Sequence, residues 1–435
     1  MDQFQLANRT KTVLLGLSAL GVICLIATYF IGDEAHSRFW SNLLHNSVFF
    51  TGVSVMALFF ITVSITAYAG WHVVFKRVWE AFSMFLPVGF ILIAIIAIGL
   101  YGGWHHLYEW ADDSIVKDDV ILSGKSGFLN RGWYTFGTLG IVAVWIFFAY
   151  KLRNLSLAED QQGTNQYAYY KQSKVWAAIF LPIVGFSSAA AIWLWIMSLE
   201  PHWYSTLFAW YTGASWFVSM ICLTLLVLTY LKDKGYYKDV SNEHIHDLGK
   251  FLFAFSVFWT YLWFSQYMLI WYGNVGEETV YFQKRQEQYP VLFYGNLLIN
   301  FALPFLVLMR NDTKRKVGTI VFTSIVVLFG HWIDFFLMIK PGVWTYTEHY
   351  LHAHGDHHGE ATGGHGGEGA HETAHAGADH VSHFVDGFTL PGLLEIGIFI
   401  GFTSIFFLVV AHYLSKASLV PKNDPFLGES IHHHV

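Results

Sequence analysis

Carboxylates and imidazoles interrupt the apolar stretches of this chain at a few places, in patterns suited to moving protons. In "SLEPHWYSTLFAWYTGASWF" (Ser198 to Phe217), Glu200 and His202 stand between two long apolar runs. In "FGHWIDFF", His331 and Asp334 are three residues apart, so a helix carries both on one face. His45 lies near the start of one run, Glu395 opens the last, Glu80 opens another, and His244, His246 and Asp247 precede a further one. Ionisable side chains are costly inside a bilayer and by default mark a relay, an ion path or a binding site. His45, Glu200, His202, His331, Asp334, Glu395, Glu80 and Asp247 are therefore candidates for a proton pathway. Plainer roles stay open beside this one. Glu200 and His202 also suit helix caps or exposure to water, His45 suits an interfacial hydrogen bond, and Glu80 and Asp247 suit the field at a helix N-terminus. A carboxylate well inside a run, such as Asp334, needs a partner or a water-filled cavity, and His331 is placed to be that partner.

The elements that must hold these groups are membrane helices. Of 435 residues, 54% are hydrophobic and 13% charged, about half the usual charged share of soluble proteins. Ten runs approach or exceed the length that crosses a hydrocarbon core. They cover about 12–31, 42–70, 84–103, 132–150, 175–197, 205–231, 249–271, 290–309, 318–340 and 392–414. The first is too long for a signal peptide and reads as an uncleaved span. Of the 25 Lys and Arg, 18 fall in alternate segments that include both termini. The positive-inside rule then puts both termini in the cytoplasm and Glu200, Glu109, Asp112, Asp113, Asp118, Asp119, Glu277 and Glu278 on the outer face. Cys24 and Cys222 lie in apolar runs, and no haem-attachment motif or iron–sulfur ligand set exists. Any electrons handled here would belong to a bound quinone or to partner subunits, with no cofactor held covalently. No nucleic-acid partner is expected.

Short matches recur in order. "FFTGVS" (Phe49 to Ser54) resembles "WYTGAS" (Trp210 to Ser215), "AFSMF" (from Ala81) resembles "AFSVF" (from Ala254), "FGTL" (from Phe136) resembles "YGNL" (from Tyr294), and "MSLEPHW" (from Met197) resembles "MIKPGVW" (from Met338). Spans 2 to 5 thus map onto spans 6 to 9 in the same orientation, which makes them parallel repeats. The expected fold class is all-α: a single polytopic membrane domain over 1–435 with ten transmembrane helices. Two parallel-repeat four-helix bundles, at 42–197 and 205–340, are flanked by spans 1 and 10. A loop at 341–391 holds ten His among Gly, Ala and acidic residues, and 415–435 forms a cytoplasmic tail. The loop reads as low-complexity linker, with adventitious metal binding at His352, His354, His357 and His358 as the alternative.

"FSQYMLIWYGNVGEETVYFQKR" (Phe264 to Arg285), "SLEPHWYSTLFAWY" (Ser198 to Tyr211), "GHWIDFFLMIKPG" (Gly330 to Gly342) and the tail "PKNDPFLGESIHHH" carry a resemblance over most of the chain apart from the His-rich loop. The chain resembles the ten-span, polysulfide-reductase-type (NrfD-like) membrane subunits of alternative complex III, a bacterial quinol:cytochrome c oxidoreductase, and most of all the second, shorter subunit of that type. The resemblance implies a bacterial inner membrane location, menaquinone as the mobile cofactor, and haem c and iron–sulfur clusters in partner subunits. Those partners are a multihaem cytochrome c, an iron–sulfur protein, a sister ten-span subunit, a monohaem cytochrome c and small membrane subunits, with lipid around them. It also implies quinol oxidation near the outer surface with protons leaving outward. His45, Ser265 and Gln266 are the candidates for contact with a quinone. One departure stands out: the sister subunit's quinol site lies in its first bundle. Here the first bundle offers His45 as the one well-placed outer imidazole and no obvious carboxylate inside spans 2 to 5. A supporting or proton-conducting role is therefore expected as readily as quinol oxidation. A stand-alone transporter or proton channel, and a structural scaffold within the same complex, are the alternatives.

Overall fold

Inside a bilayer the backbone must satisfy its own hydrogen bonds, so apolar runs of this length become helices. A computed structural model describes residues 3–31, 35–162, 167–355 and 387–433, and among these there is no strand. Ten helices are long and apolar enough to cross a membrane: Asn8–Phe30, Ser37–Thr66, Val73–Tyr101, Arg131–Gln161, Ala168–Leu199, Thr206–Asp233, Asn242–Gly273, Pro290–Leu308, Val317–Glu348 and Leu393–Ser415, spans 1 to 10. The protein is a multi-pass helical membrane protein. The face with Glu200 and Glu395 is termed upper; the face with both described ends of the chain is termed lower.

Spans 2 to 5 close into one ring of neighbours, 2 with 3, 3 with 4, 4 with 5 and 5 with 2, and spans 6 to 9 close in the same order. Spans 2 and 6 form the seam between the rings, and span 9 also touches span 2. Burial follows this plan: 83% of an 18-residue apolar window is buried in spans 2 and 6, against 11% in span 1. The repeated Thr-Gly-x-Ser segments serve the seam unequally. A Cβ on Gly52 would overlap the Trp216 indole, whereas Gly213 faces open space. Span 1 leans mainly on span 10, where a Cβ on Gly21 or Gly401 would come within 2.4 Å of the other's Cα. Small residues are what allow such close crossing.

Two prolines shape the second ring. Sequence reading ends span 9 at 340, before Pro341-Gly342, and assigns 341 onward to the loop. The helix instead continues through Pro341 to Gly355. Proline strips the Leu337 carbonyl of its helical donor, and the Arg285 Nε–H fills that position at 3.0 Å. In span 8, Pro304 follows a π-helical segment at Leu298–Ala302. Such widened turns accommodate a broken ladder and often accompany functional sites.

On the upper face an amphipathic helix, Gly276–Gln288, joins spans 7 and 8. Two short helices, Asp113–Asp118 and Val120–Lys125, lie between spans 3 and 4 and are capped by Asp112 and Asp119. On the lower face the tail straps both rings. The Lys422 N–H donates to Asp160, Asp424 pairs with Lys76, the Ser430 hydroxyl donates to the Trp71 carbonyl, and His433 meets Asp247 at 2.6 Å.

Candidate functional site

Asp334 is wholly buried in the upper half of span 9, inside the second ring. Four neutral donors hold it. The Tyr211 hydroxyl and the Asn296 amide (2.8 Å) donate to Oδ1. The Ser215 hydroxyl (3.0 Å) and the Trp259 indole N–H (3.0 Å) donate to Oδ2. These donors come from spans 6, 7 and 8, so every helix of the ring reaches this carboxylate. No cation lies within ion-pair distance of it among the described residues. Sequence reading offered His331 as its partner; the structure puts Ser215 between them, with the hydroxyl 2.8 Å from His331 Nδ1. A serine hydroxyl both donates and accepts. Its rotation lets a proton on Oδ2 pass to Ser215 while the serine proton passes to Nδ1, with no heavy atom displaced.

Polar groups continue below this centre. Asn300 donates to the Asn296 amide oxygen at 2.6 Å, and the Asn300 oxygen rests against Gly330, where a Cβ would come within 2.2 Å. That oxygen, Ser256 Oγ, Ser324 Oγ and His331 Nε2 are buried without a hydrogen-bond partner among the described residues. Ser324, His331 and Asp334 share a face of span 9 and extend over about 15 Å of helix. Unpaired buried polar atoms are the partners that internal water takes.

Above the centre, Glu200 receives two hydrogen bonds from Arg285, at 2.8 and 3.4 Å. The guanidinium also donates to the Tyr281 carbonyl and lies 3.4 Å from the centre of the Tyr281 ring, which stacks on Trp203. Burial works against the Arg285 cation, yet Glu200 prevails and holds its pKa above the usual value. The carboxylate at the hairpin thus has a fixed counter-ion that also mends the proline break in span 9. His202 stands apart, two-fifths exposed, with Nε2 2.6 Å from Asp119. That hydrogen bond, with the N–H groups of Leu122 and Ile121, keeps the Asp119 carboxyl below its ordinary range.

The other sequence candidates are spread out. His45 is buried where spans 2 and 9 meet, stacked on Trp332 and donating from Nε2 to the Trp332 carbonyl at 2.9 Å. Glu395 is locked by Arg38 (2.9 and 3.1 Å), Asn42 (3.0 Å) and the Gly392 N–H (3.0 Å). Glu80 lies at the lower end of the first ring, bonded by Arg77 (2.6 Å) and Ser156 (2.7 Å), with Arg153 at 3.7 Å. It borders a small pocket that Arg153, Ser156 and Asp424 also line. Asp247 pairs with Lys250 and His433. Gln266 is buried and lines a cleft in the upper half of the second ring, while Ser265, its neighbour, does not line it. His352 and His354 are described in backbone only, and His357 and His358 lie outside the described residues.

Sequence reasoning missed Tyr211, Ser215, Trp259, Asn296 and Arg285. The Asn296–Asn300 pair, four apart in an apolar run, was a usable signal. Tyr211 and Trp259 were hidden among the many aromatic residues. Among known proteins, no family model and no curated sequence matches this chain.

Proposed function

We propose that the chain is the integral membrane subunit of a bacterial quinol:cytochrome c oxidoreductase of the alternative complex III type. In this reading it supports menaquinol oxidation at the outer side of the inner membrane. Electrons pass to cytochrome c and iron–sulfur partners, and the chain conducts protons outward. The single observation that carries the reading is Asp334, a buried carboxylate held by neutral donors alone in the upper half of the second ring. A carboxylate without a counter-ion is expensive in a bilayer and has the character of a proton-relay group. The Asn296–Asn300 pair and the unpartnered hydroxyls extend the polar track downward. The skew of Lys and Arg to the lower face supports equating upper with outer.

The test is gentle solubilisation of native membranes, capture by this chain, and a visible spectrum with quinol:cytochrome c activity on the eluate. Co-eluting c-type haem with inhibitor-sensitive activity is expected. A colourless, inactive chain across several detergents overturns the reading.

A further inference from the structure

A cation taken out of water needs a partner. Among the buried cations, Arg38, Arg77, Arg153 and Arg285 each meet a carboxylate, and Lys340 meets the Ser41 hydroxyl. Lys314 is the exception. It lies in the short helix Asn311–Arg315, between spans 8 and 9 at the lower end of the second ring. It is 6% exposed, and its ammonium makes no hydrogen bond or ion pair among the described residues. The stem packs on span 7, where a Cβ on Gly249 would come within 3.3 Å of the Lys314 Cβ and Cγ. The ammonium lies 5.5 Å from the centre of the Phe253 ring, and Phe253 is one helical turn further up span 7. A lysine at a membrane boundary ordinarily carries its charge out to water. This one runs from Gly249 toward Phe253, into the bilayer. The ammonium itself is not sealed off. Burial, and then the charges of Lys250 and Arg315, lower its pKa below the ordinary value.

The neighbouring carboxylates are already engaged. Glu243 accepts from Arg315 at 2.8 and 3.2 Å, and Asp247 is shared by Lys250 at 2.9 Å and His433 at 2.6 Å. Arg310 and Asp312 pair with each other. The charge of Lys314 is left over. On the bilayer side, Phe253 stacks with Phe305 of span 8 at 5.8 Å between ring centres, and Leu306 and Met309 of span 8 are exposed. We infer that Lys314 seats the phosphate of an anionic phospholipid of the lower leaflet, at the foot of spans 7 and 8. The phosphodiester accepts from the ammonium, and the acyl chains run up into the bilayer past Phe305 and Leu306. Basic sites between helices at this membrane face suit such headgroups. The single negative charge matches the single charge left over. A zwitterionic headgroup adds an ammonium of its own, for which no carboxylate here is spare. A soluble phosphate carries the same chemistry, but an ammonium among aromatic and lipid-exposed side chains favours a ligand that arrives through the bilayer. The inference does not depend on the redox function proposed above.

The test is native mass spectrometry of the full chain, purified in mild detergent with the subunits that accompany it. The preparation is stripped of lipid and titrated with phosphatidylglycerol, or with phosphatidylcholine of the same acyl chains. Tighter retention of phosphatidylglycerol is expected. Lys314→Met keeps the stem and removes the charge. It should weaken that retention roughly tenfold, the worth of one hydrogen bond to a charged group. Lys314→Arg should preserve it. Lys234→Met should leave it unchanged, since Lys234 is an exposed lower-face cation paired with Asp233. Because Lys314→Met removes an unpaired charge, it should unfold no earlier than the parent in lipid-free detergent. Added phosphatidylglycerol should raise the unfolding temperature of the parent and not of that variant. Equal retention by parent and Lys314→Met, or equal retention of the two lipids, overturns the inference. Displacement of phosphatidylglycerol by excess inorganic phosphate also overturns it, and makes this a site for free anions. So does a carbodiimide cross-link from Lys314 to a co-purified subunit, which gives the charge to a protein carboxylate.

Discussion

Each four-helix ring buries a carboxylate, and the two are treated in opposite ways. Glu80, low in the first ring, sits against Arg77 and beside Arg153, and Arg77 reaches on to Asp160. Asp334, high in the second ring, is held by a phenol, an indole, an amide and a hydroxyl. Cations fix a carboxylate's charge and make it a structural tie. Neutral donors position a carboxylate without fixing its proton. The same side-chain chemistry thus makes a lock in one ring and, in the function proposed above, a relay in the other.

The largest expected effect tests the lock. Glu80→Gln leaves Arg77 and Arg153 buried without their shared partner, which costs about 3–5 kcal/mol. Thermal unfolding in detergent should register that loss, while whatever folds keeps its turnover. A variant as stable as the parent but inactive would reverse the roles of the two carboxylates.

Asp334→Asn should do the converse. The amide keeps the shape and sets one of its N–H groups against two donors, costing about 1–3 kcal/mol. Turnover-linked proton release should fall at least tenfold. Proton release at the parent rate from reconstituted vesicles would remove Asp334 from the pathway.

The smallest effect concerns the strap under the first ring. Burial disfavours the Asp424 carboxylate, but Lys76 and the Phe426 N–H hold its pKa below the ordinary value. A depressed pKa contributes stability that is fully present above about pH 4 and is lost as pH falls through the folded value. Limited proteolysis should release the tail sooner below pH 4 than at pH 7. Asp424→Asn should abolish that difference and leave Asp334-dependent proton release untouched.

Much of this contrast was legible in the chain, and the illegible part has a physical cause. Apolar runs had to become helices, so ten spans and their order followed directly. His331 and Asp334 fell on one face because three residues are nearly one turn. The donors around Asp334 come from residues 211 to 296, and neither spacing nor composition links them to 334. Glu80 looked like a carboxylate at a helix start, since its ties to Arg153 and Ser156 cross between spans. Pro341 looked like a terminator because Arg285, which takes over the freed Leu337 carbonyl, is 52 residues away.

The crossing of Gly21 with Gly401 also bears on how the protein is made. Span 1 leaves the ribosome about 380 residues ahead of its principal partner, span 10. At ordinary synthesis rates of roughly 5–20 residues per second, the first span waits on the order of tens of seconds in the bilayer for its mate. The two rings between them have that interval to assemble before span 10 can close against span 1 and the outside of the first ring.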